Sequence, residues 1–305
     1  MRAKMTFQKL EAAIEQGRGI GILDRYKPWI TITRSGTSKT SNQSFVRMPC
    51  LSRHCCYLSQ GERQIAHVLW WAGADDVREQ FPLWPWKHPS PYSAIDSNRQ
   101  WPQHPGMIEV AREAGIPLYK YPGMKIPAVL TIDLMVTFHH RDPDAPSALI
   151  GISCKPQEQY TRARPADRLR ERLELDRRYC QVAKIKHLLV HPEQLPPVLP
   201  RQLQWLAPRA TWAELDALRR SSQYQDFVTH LAKHAYCRPA SNAIRLAGRK
   251  VGWSKVKAAG NARTALWMLD VDANLLKPIE LHEPLQPGGH ALRREIRARI
   301  FGEGV

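Results

Sequence analysis

Two apolar segments separated by a turn-forming segment are the strongest structural constraint in this chain. Residues 131–156 read TIDLMVTFHHRDPDAPSALIGISCKP, so apolar, largely β-branched runs flank a stretch of His, Arg, Asp and Pro. This pattern predicts a β-hairpin. If the turn is centred near Asp144, the numbers of facing residues sum to about 288, and Asp133 lies opposite Lys155. The hairpin therefore predicts a carboxylate and an ammonium group side by side on an apolar ribbon.

The Asp133 and Lys155 pair has a structural and a functional interpretation. A cross-strand ion pair at a surface is common and contributes little. Both strands, however, are apolar on both sides, which indicates strands covered on both faces, and a buried ion pair is seldom retained for stability alone. Strand alternation places Ser153 and Lys155 on one face and Cys154 on the other. The hairpin alone leaves both interpretations open.

Two further acids are predicted to point inward from helices. In the helix predicted from LSQGERQIAHVLWWAGA, Ser59 and Glu62 form a capping box, and the apolar spacing places Glu62 on the inward stripe. In the helix predicted over residues 166–184, Asp176 also falls on the apolar stripe. The simpler alternatives are a helix cap for Glu62 and an ion pair with Arg172 for Asp176.

The charge of the chain indicates a polyanionic partner. It has 305 residues, with 45 Lys+Arg against 28 Asp+Glu, a formal net charge of +17 and a pI of about 9.9. Nucleic acid is the first candidate partner. We expect a cytoplasmic protein with no membrane partner, because no apolar run reaches about 18 residues and the N-terminus lacks a signal peptide. The six cysteines have no disulfide-like spacing, which agrees with a reducing compartment.

Carboxylates and a lysine that converge in a basic protein suit metal-dependent phosphodiester hydrolysis. Carboxylates hold Mg²⁺, which polarises a phosphate and lowers the pKa of an attacking water, and a lysine stabilises the charge that develops. An acid on one strand, with a lysine two residues after a polar residue on the next strand, is the PD-(D/E)xK nuclease arrangement. Here Asp133 and the run from Ser153 through Cys154 to Lys155 take those positions.

Element patterns along the chain predict an N-terminal α/β unit. WITITRS and SFVRMP are interpreted as strands, and residues 80–127, rich in Pro and Trp, as a wrapped loop with one helix at MIEVAREAG. A buried strand, HLLVHP, follows the helix that carries Asp176. The Pro-rich segment PEQLPPVLPRQ then predicts a domain boundary, which gives domains of residues 1–195 and 196–305.

The C-terminal segment is predicted to be a small α+β domain. Three helical stretches, TWAELDALRRS, QYQDFVTHLAKHAY and ASNAIRLAGRKVG, precede two strand-like runs, ALWMLDVD and LLKPIELH. Helices followed by a hairpin are typical of a winged-helix module, and a generic α+β domain is the alternative. The basic stretch from Lys250 to Lys257 either contacts DNA backbone or is a solvated face. A basic helix, HALRREIRARIF, ends the pattern.

The order of several sequence blocks makes the interpretation more specific. The chain resembles the TnsA family, the endonuclease subunits of heteromeric cut-and-paste transposases. The similarity runs through GRGIGILDRYKPWITI, LSQGERQIAHVLWW, DDVREQFPL, AREAGIPLYKYPGMKIPAVLTIDLMV, ISCKP and RLELDRRYCQ in the family's order. It covers most of residues 10–190.

The resemblance implies a fold, a site and partners. The implied fold is a restriction-endonuclease-like mixed sheet flanked by helices, with a C-terminal winged-helix-like domain. Glu62, Asp133 and Lys155 match the family's catalytic residues, with Glu62 and Asp133 as ligands of Mg²⁺, for which Mn²⁺ would substitute. Ser153 stands where the family has Gln or Glu, so its hydroxyl and the backbone carbonyl of Cys154 are candidate ligands. Asp176 takes the place of a family glutamate and is a candidate catalytic residue.

The function implied by the resemblance is cleavage of the 5′ strands at transposon ends in double-stranded DNA. The implied partners are a TnsB-like DDE transposase and a TnsC-like AAA+ ATPase, on the bacterial nucleoid. Two alternatives stay open. One is a stand-alone restriction or defence nuclease, and the other is a non-catalytic DNA-binding or scaffold subunit with a decayed nuclease core.

Overall fold

The chain divides into two compact units in a computed structural model that describes residues 5–32, 42–139, 147–161 and 166–301. The first unit comprises Met1–Val46, His54–Ala66 and Ala74–Gln194. The second comprises Arg47–Arg53, His67–Gly73 and Leu195–Val305. None of the helices within the described ranges is long and apolar enough to cross a membrane.

A four-stranded mixed sheet organises the first unit. Its strands, in spatial order, are β3 (Asp76–Leu83), β4 (Leu130–Phe138), β5 (Ala148–Cys154) and β6 (Lys186–Val190). The pairs β3/β4 and β4/β5 are antiparallel, and β5/β6 is parallel. A separate two-stranded sheet joins β1 (Ser44–Arg47) to β2 (His54–Tyr57).

Five helices belong to this N-terminal part of the described chain: α1 (Phe7–Glu15), α2 (Gln60–Trp71), α3 (Met107–Glu113), α4 (Gln157–Thr161) and α5 (Ala166–Val182). Helix α5 connects β5 to β6 and packs on the sheet through Cys180, whose Sγ lies 2.7 Å from where a Cβ at Gly151 would be. Only glycine allows this approach. The mixed sheet with helices against it confirms the predicted α/β class, and it is consistent with a restriction-endonuclease-like core.

The predicted hairpin strands are confirmed, but their predicted register is wrong. Leu134 pairs with Ile152 and Met135 with Gly151, so facing numbers sum to 286. The same register sets Asp133 opposite Ser153 rather than Lys155. The difference of two residues arises because the exact centre of the turn fixes the register, and the letters do not define that centre. Residues 140–146, where the turn was predicted, lie outside the described residues.

Strand β3 was missed because its sequence does not alternate. All eight of its residues are buried, including Arg78 and Glu79, and the segment from residue 80 was interpreted as loop. Pro82 is tolerated because β3 is an edge strand of the sheet. Arg78 is buried, with its Nε 3.6 Å from Asp76 Oδ2. The described part of WITITRS is not in a strand.

All regular elements of the second unit within residues 195–301 are helices. Its helices are α6 (Val198–Leu206), α7 (Trp212–Arg220), α8 (Ser222–Ala235), α9 (Ala240–Lys250), α10 (Lys255–Met268) and α11 (Gly289–Phe301). The predictions of α7, α8, α9 and α11 are confirmed. Helix α6 was not predicted, because its sequence includes Pro200 and overlaps the Pro-rich segment that predicts a domain boundary.

The two strands predicted at residues 265–272 and 275–282 are wrong. The first apolar run is the buried end of α10, which stops at Leu269 with a φ of 64°. The second lies in turns and irregular structure, and no strand occurs within residues 195–301. A short apolar run does not distinguish a strand from a buried helical turn. The described C-terminal residues therefore lack the hairpin that the winged-helix prediction required.

Candidate active site

The first turn of α2 holds Glu62 in place. Ser59 Oγ accepts a hydrogen bond from Glu62 N at 3.2 Å and donates one to Glu62 Oε1 at 3.0 Å. The N–H of Leu58 donates to Glu62 Oε2 at 3.0 Å, so the carboxylate caps one residue earlier than a standard capping box. Glu62 is only 4% exposed, which confirms its predicted inward position.

Gln80 links Glu62 to the sheet, and sequence reasoning missed it. It is fully buried and has a φ of 50°, between the paired residues 79 and 81 of β3, in the register position facing Asp133. Its Nε2 donates to Glu62 Oε2 at 3.0 Å, and its Oε1 accepts from Thr131 Oγ1 at 3.0 Å. This segment is part of the block DDVREQFPL, but no residue in it predicts the left-handed backbone conformation that directs the Gln80 amide toward Glu62.

Asp133 and Lys155 are in direct contact. Lys155 Nζ lies 2.6 Å from Asp133 Oδ2, and the same oxygen accepts the N–H of Cys154 at 2.7 Å. The long lysine side chain reaches the diagonal position, which explains how the contact forms despite the two-residue difference in register. Asp133 is 8% exposed. Its other oxygen, Oδ1, accepts no hydrogen bond from the described part of the chain.

The charges of these three residues influence one another. Burial and then the Asp133 charge raise the pKa of Glu62 to about 7. Burial opposes the charged form of Lys155, but the Asp133 and Glu62 carboxylates outweigh it and raise the pKa of Lys155. Burial and the Asp133 charge also raise the pKa of Cys154, so its thiol is neutral. The group therefore holds excess negative charge that a cation would neutralise.

An open cleft of about 620 Å³ adjoins the group. The first turn of α2, including Glu62, lines one part of it. Lys155 and its neighbours line another part, together with Pro192 and Glu193. The Lys155 side chain is 24% exposed. Lys155 is thus accessible from solvent through this cleft, and the buried Glu62 lies at its wall.

Asp176 and Ser153 form a second polar group. Asp176 is 3% exposed, and its Oδ1 lies 2.9 Å from Arg172 Nε, as the alternative helix ion pair predicted. Ser153 Oγ donates to Asp176 Oδ2 at 3.2 Å and lies 3.0 Å from His187 Nε2. Burial lowers the pKa of His187, so we assign a neutral ring that donates from Nε2 to Ser153. Arg172 also donates to Thr131 O at 2.7 Å.

The predicted site residues therefore divide between two groups, the first joined by an ion pair and by charge interactions and the second by hydrogen bonds. Glu62, Asp133 and Lys155 form the first group, and Asp176 and Ser153 belong to the second. Thr131 connects the two, since its hydroxyl contacts Gln80 and its carbonyl contacts Arg172. The side chains of Ser153 and Lys155 have different partners.

The first group fits a hard divalent cation. Within the described residues, no cluster of three or more His, Cys, Asp or Glu side chains that could hold a metal ion occurs. Mg²⁺ needs only one or two protein carboxylates because it retains waters, and Glu62 and Asp133 supply two. The unpartnered Asp133 Oδ1 is suited to such a role. Ligation by the Ser153 hydroxyl or the Cys154 carbonyl stays a prediction.

Comparison with known proteins agrees with the resemblance found in the sequence. The chain is 28% identical over 209 residues to the transposon Tn7 transposition protein TnsA of Escherichia coli, a match that covers 67% of this chain and 65% of that protein. The chain thus spans somewhat less than two thirds of the length of this relative. No family model matches the chain. The predicted resemblance to the TnsA family is confirmed by this similarity.

Proposed function

We propose that this TnsA-like chain is the metal-dependent DNA endonuclease subunit of a heteromeric transposase. The observation that carries the proposal is the contact of Lys155 Nζ with Asp133 Oδ2 at 2.6 Å, beside the buried Glu62 carboxylate and on an open cleft. Two repelling carboxylates and a cation at a solvent-accessible cleft are costly for stability and useful for phosphodiester hydrolysis.

Each residue of the group has a role in the proposed reaction. Glu62 and Asp133 would hold Mg²⁺, or Mn²⁺ in its place, which when bound polarises the scissile phosphate and lowers the pKa of an attacking water. Gln80 and the Leu58 N–H orient the Glu62 carboxylate by hydrogen bonds to Oε2. Lys155 faces the cleft, where its ammonium group would stabilise the negative charge that develops on a phosphate.

The substrate and partners follow from the family resemblance. We infer that the chain cuts the 5′ strands at transposon ends in double-stranded DNA, on the bacterial nucleoid. A TnsB-like DDE transposase would cut and join the 3′ ends, and a TnsC-like AAA+ ATPase would regulate both. The net charge of +17 supports a DNA substrate.

The test is strand cleavage by an assembled complex that contains Asp133→Ala. We expect loss of 5′-strand cleavage with DNA binding retained, because the substitution removes a carboxylate but no positive charge. Glu158→Gln is the matched control, since Glu158 lines the same cleft but is not one of the three residues of the group. Cleavage by the Asp133→Ala complex at the wild-type rate would eliminate the assignment of the site.

The same assay distinguishes the alternatives. A stand-alone nuclease would cut DNA as the purified chain, whereas we expect cleavage only after both partner proteins are added. A scaffold with a decayed core would leave 5′ strands intact in every complex and would bind no Mn²⁺ at Asp133. Mn²⁺ binding is measured by electron paramagnetic resonance on the purified chain.

A further inference from the structure

A segment near the N-terminus follows the edge of the four-stranded sheet. Strand β3 is the edge strand, so its outer backbone groups need partners from outside the sheet. Residues 19–29, which we call the strap, supply two of them. Tyr26 Oη donates to Glu79 O at 3.0 Å, and Trp29 N donates to Gln80 O at 3.3 Å. The strap therefore contacts two consecutive carbonyls of β3.

Glycines allow the strap to approach the sheet. Gly19 has a φ of 79°, and a Cβ there would lie 2.3 Å from Pro82 Cγ on β3. Gly21 has a φ of 100°, and a Cβ there would lie 2.6 Å from Arg25 O. Gly19 N donates to Lys27 O at 2.6 Å and closes the strap into a loop. Glycine suits both positions because it has no Cβ, which accounts for the spacing of glycines in the block GRGIGILDRYKPWITI.

The strap fixes an unfavourable backbone conformation at Gln80. In a regular strand, consecutive carbonyls point to opposite edges. Here the Tyr26 hydroxyl lies 3.0 Å from Glu79 O and 3.4 Å from Gln80 O, so both carbonyls reach the same edge. This arrangement accompanies the φ of 50° at Gln80, which residues other than glycine seldom adopt. Such conformations persist where the surrounding structure fixes them, and they cluster at functional sites.

The side chain of Gln80 brings a hydrogen-bond donor to Glu62. Its Oε1 accepts from the Thr131 hydroxyl and its Nε2 donates to Glu62 Oε2, both at 3.0 Å. A carboxylate only accepts hydrogen bonds, so this contact determines the orientation of the amide. Leu58 N also donates to Oε2, whereas Ser59 Oγ donates to Oε1. From the described residues, Oε2 thus accepts two hydrogen bonds and Oε1 accepts one, which leaves Oε1 an acceptor site for a cation.

Stability alone does not explain this arrangement. The backbone conformation of Gln80, the burial of its amide and the burial of Glu62 all cost folding free energy. Hydrogen bonds offset the burial of polar groups, but they do not remove the backbone strain. Gln80 is fully buried, so it can influence a reaction in the cleft only through the residue that its amide contacts.

We propose that the strap and Gln80 are positioning elements for the metal site. Tyr26 and Trp29 fix the backbone of Gln80, and its amide fixes the Glu62 carboxylate for a divalent cation. The inference rests on the proposed metal-dependent function, and it assigns a role to a sequence block outside the candidate active site. Replacement of a residue that orients a metal ligand commonly weakens metal binding by about 10- to 100-fold.

The first test removes the Tyr26 hydroxyl and measures Mn²⁺ binding to the purified chain by electron paramagnetic resonance. Tyr26→Phe should weaken Mn²⁺ binding by about fivefold, because the Trp29 N–H still contacts Gln80. Tyr92→Phe is the matched control, since Tyr92 is a buried tyrosine of the same unit whose hydroxyl lies 3.4 Å from Lys184 O. Melting temperatures should fall similarly in both variants, but the control should keep Mn²⁺ affinity within about twofold of wild type.

The second test changes the amide itself. Gln80→Met has a similar size but forms no side-chain hydrogen bonds. Gln80→Asn keeps an amide and tolerates a left-handed backbone, but its side chain is shorter by one methylene. Both should weaken Mn²⁺ binding by about 10- to 100-fold, because neither brings an N–H to Glu62 Oε2. Wild-type affinity of the Gln80→Asn protein would mean that only the backbone conformation matters, and it would overturn the role of the amide.

A double variant tests whether the strap acts through Gln80. Tyr26→Phe combined with Gln80→Met should bind Mn²⁺ as weakly as Gln80→Met alone, because the hydroxyl has nothing to position once the amide is absent. Independent effects would instead multiply and give a further loss of about fivefold. That result would overturn the proposed connection between the strap and the Glu62 carboxylate.

Two other results would also overturn the inference. They are wild-type Mn²⁺ affinity in Tyr26→Phe, and an equal loss of affinity in the Tyr92→Phe control. Neither result affects the proposed function, because Mn²⁺ binding and cleavage by the wild-type chain would be intact. Failure of the proposed function is distinguishable, since the wild-type chain would then bind no Mn²⁺ in the same titration, and this result would overturn both proposals.

Discussion

Asp133 and Asp176 are buried acids beside β5, and each has a basic partner, but the two partners are held differently. Lys155 lies 2.6 Å from Asp133 Oδ2 and faces an open cleft. Arg172 lies 2.9 Å from Asp176 Oδ1 and uses another N–H to bond a carbonyl of β4. The Ser153 hydroxyl donates a hydrogen bond to the second carboxylate oxygen of Asp176. Lys155 of the first ion pair can therefore contact a ligand in the cleft, whereas Arg172 and Asp176 of the second form further hydrogen bonds within the fold.

The two ion pairs also differ in how their desolvation free energy is offset. Both pairs are largely removed from water, so each costs desolvation free energy. The second pair offsets this cost by hydrogen bonds to Ser153 and the backbone. The first pair has a further cost. Glu62 adds a second carboxylate beside Asp133, and burial together with the repulsion between the two carboxylates raises the pKa of Glu62 to about 7. Such unresolved repulsion is typical of functional sites.

Replacing each basic partner by methionine should have opposite consequences. Lys155→Met should lower single-turnover cleavage by the assembled complex by about 10²- to 10³-fold, because it removes a stabiliser of developing phosphate charge. Arg172→Met should leave cleavage by the folded protein within about tenfold. It should lower the free energy of unfolding by about 2–3 kcal/mol, because it leaves Asp176 buried and uncompensated. Urea denaturation measures the second quantity. A loss of cleavage by stable Arg172→Met protein would instead make Asp176 part of the reaction.

The stability of the metal-free protein should depend on the ionisation of Glu62. Its pKa is raised from 4.5 to about 7, so the folded chain binds more protons than the unfolded chain between these values. Stability contributed by the protonated carboxyl is therefore present below about pH 4.5 and lost as pH rises through 7, by about 3 kcal/mol in total. Urea denaturation in EDTA at pH 5 and pH 7.5 measures the change.

Two variants control this pH effect. Glu62→Gln cannot ionise and therefore reports the pH dependence of all other groups, such as the buried His104, whose pKa is lowered to about 4. The contribution of Glu62 is the difference between wild type and this variant. Asp133→Asn should reduce it, since the Asp133 charge is the second cause of the shift after burial. A wild-type stability that rises from pH 5 to pH 7.5, relative to Glu62→Gln, would contradict the raised pKa.

The sequence predicted the helix faces well because the helical period is a local property. Glu62 and Asp176 were placed on inward stripes by apolar spacing alone, and both are nearly fully buried. The contact of Asp133 with Lys155 was also predicted, although the assumed register differed by two residues. A flexible lysine side chain tolerates such an error.

The features that were missed depend on tertiary structure. The left-handed φ of Gln80 and its bond to Glu62 arise where β3 lies beside α2 in the fold, and no short-range pattern encodes them. Strand β3 contains charged residues that are nevertheless buried, and their burial depends on neighbouring elements that the sequence of the strand does not reveal. The apolar run at residues 265–272 is compatible with a strand or with the end of a helix. In the structure its first residues are the buried end of α10.

Ser153→Ala should have the smallest effect of these substitutions. It tests whether the Ser153 hydroxyl belongs only to the Asp176 group or also binds the metal held by Glu62 and Asp133. In the structure the Ser153 hydroxyl serves Asp176 and His187, so its removal should cost about 1 kcal/mol of unfolding free energy. It should leave the Mn²⁺ dissociation constant within about threefold of wild type, because a carboxylate pair with bound waters suffices for this class of cation. Asp133→Ala, measured by the same titration, should abolish binding. If Ser153→Ala instead weakened Mn²⁺ binding tenfold without loss of stability, the hydroxyl would be a metal ligand, and the two groups would act as one site.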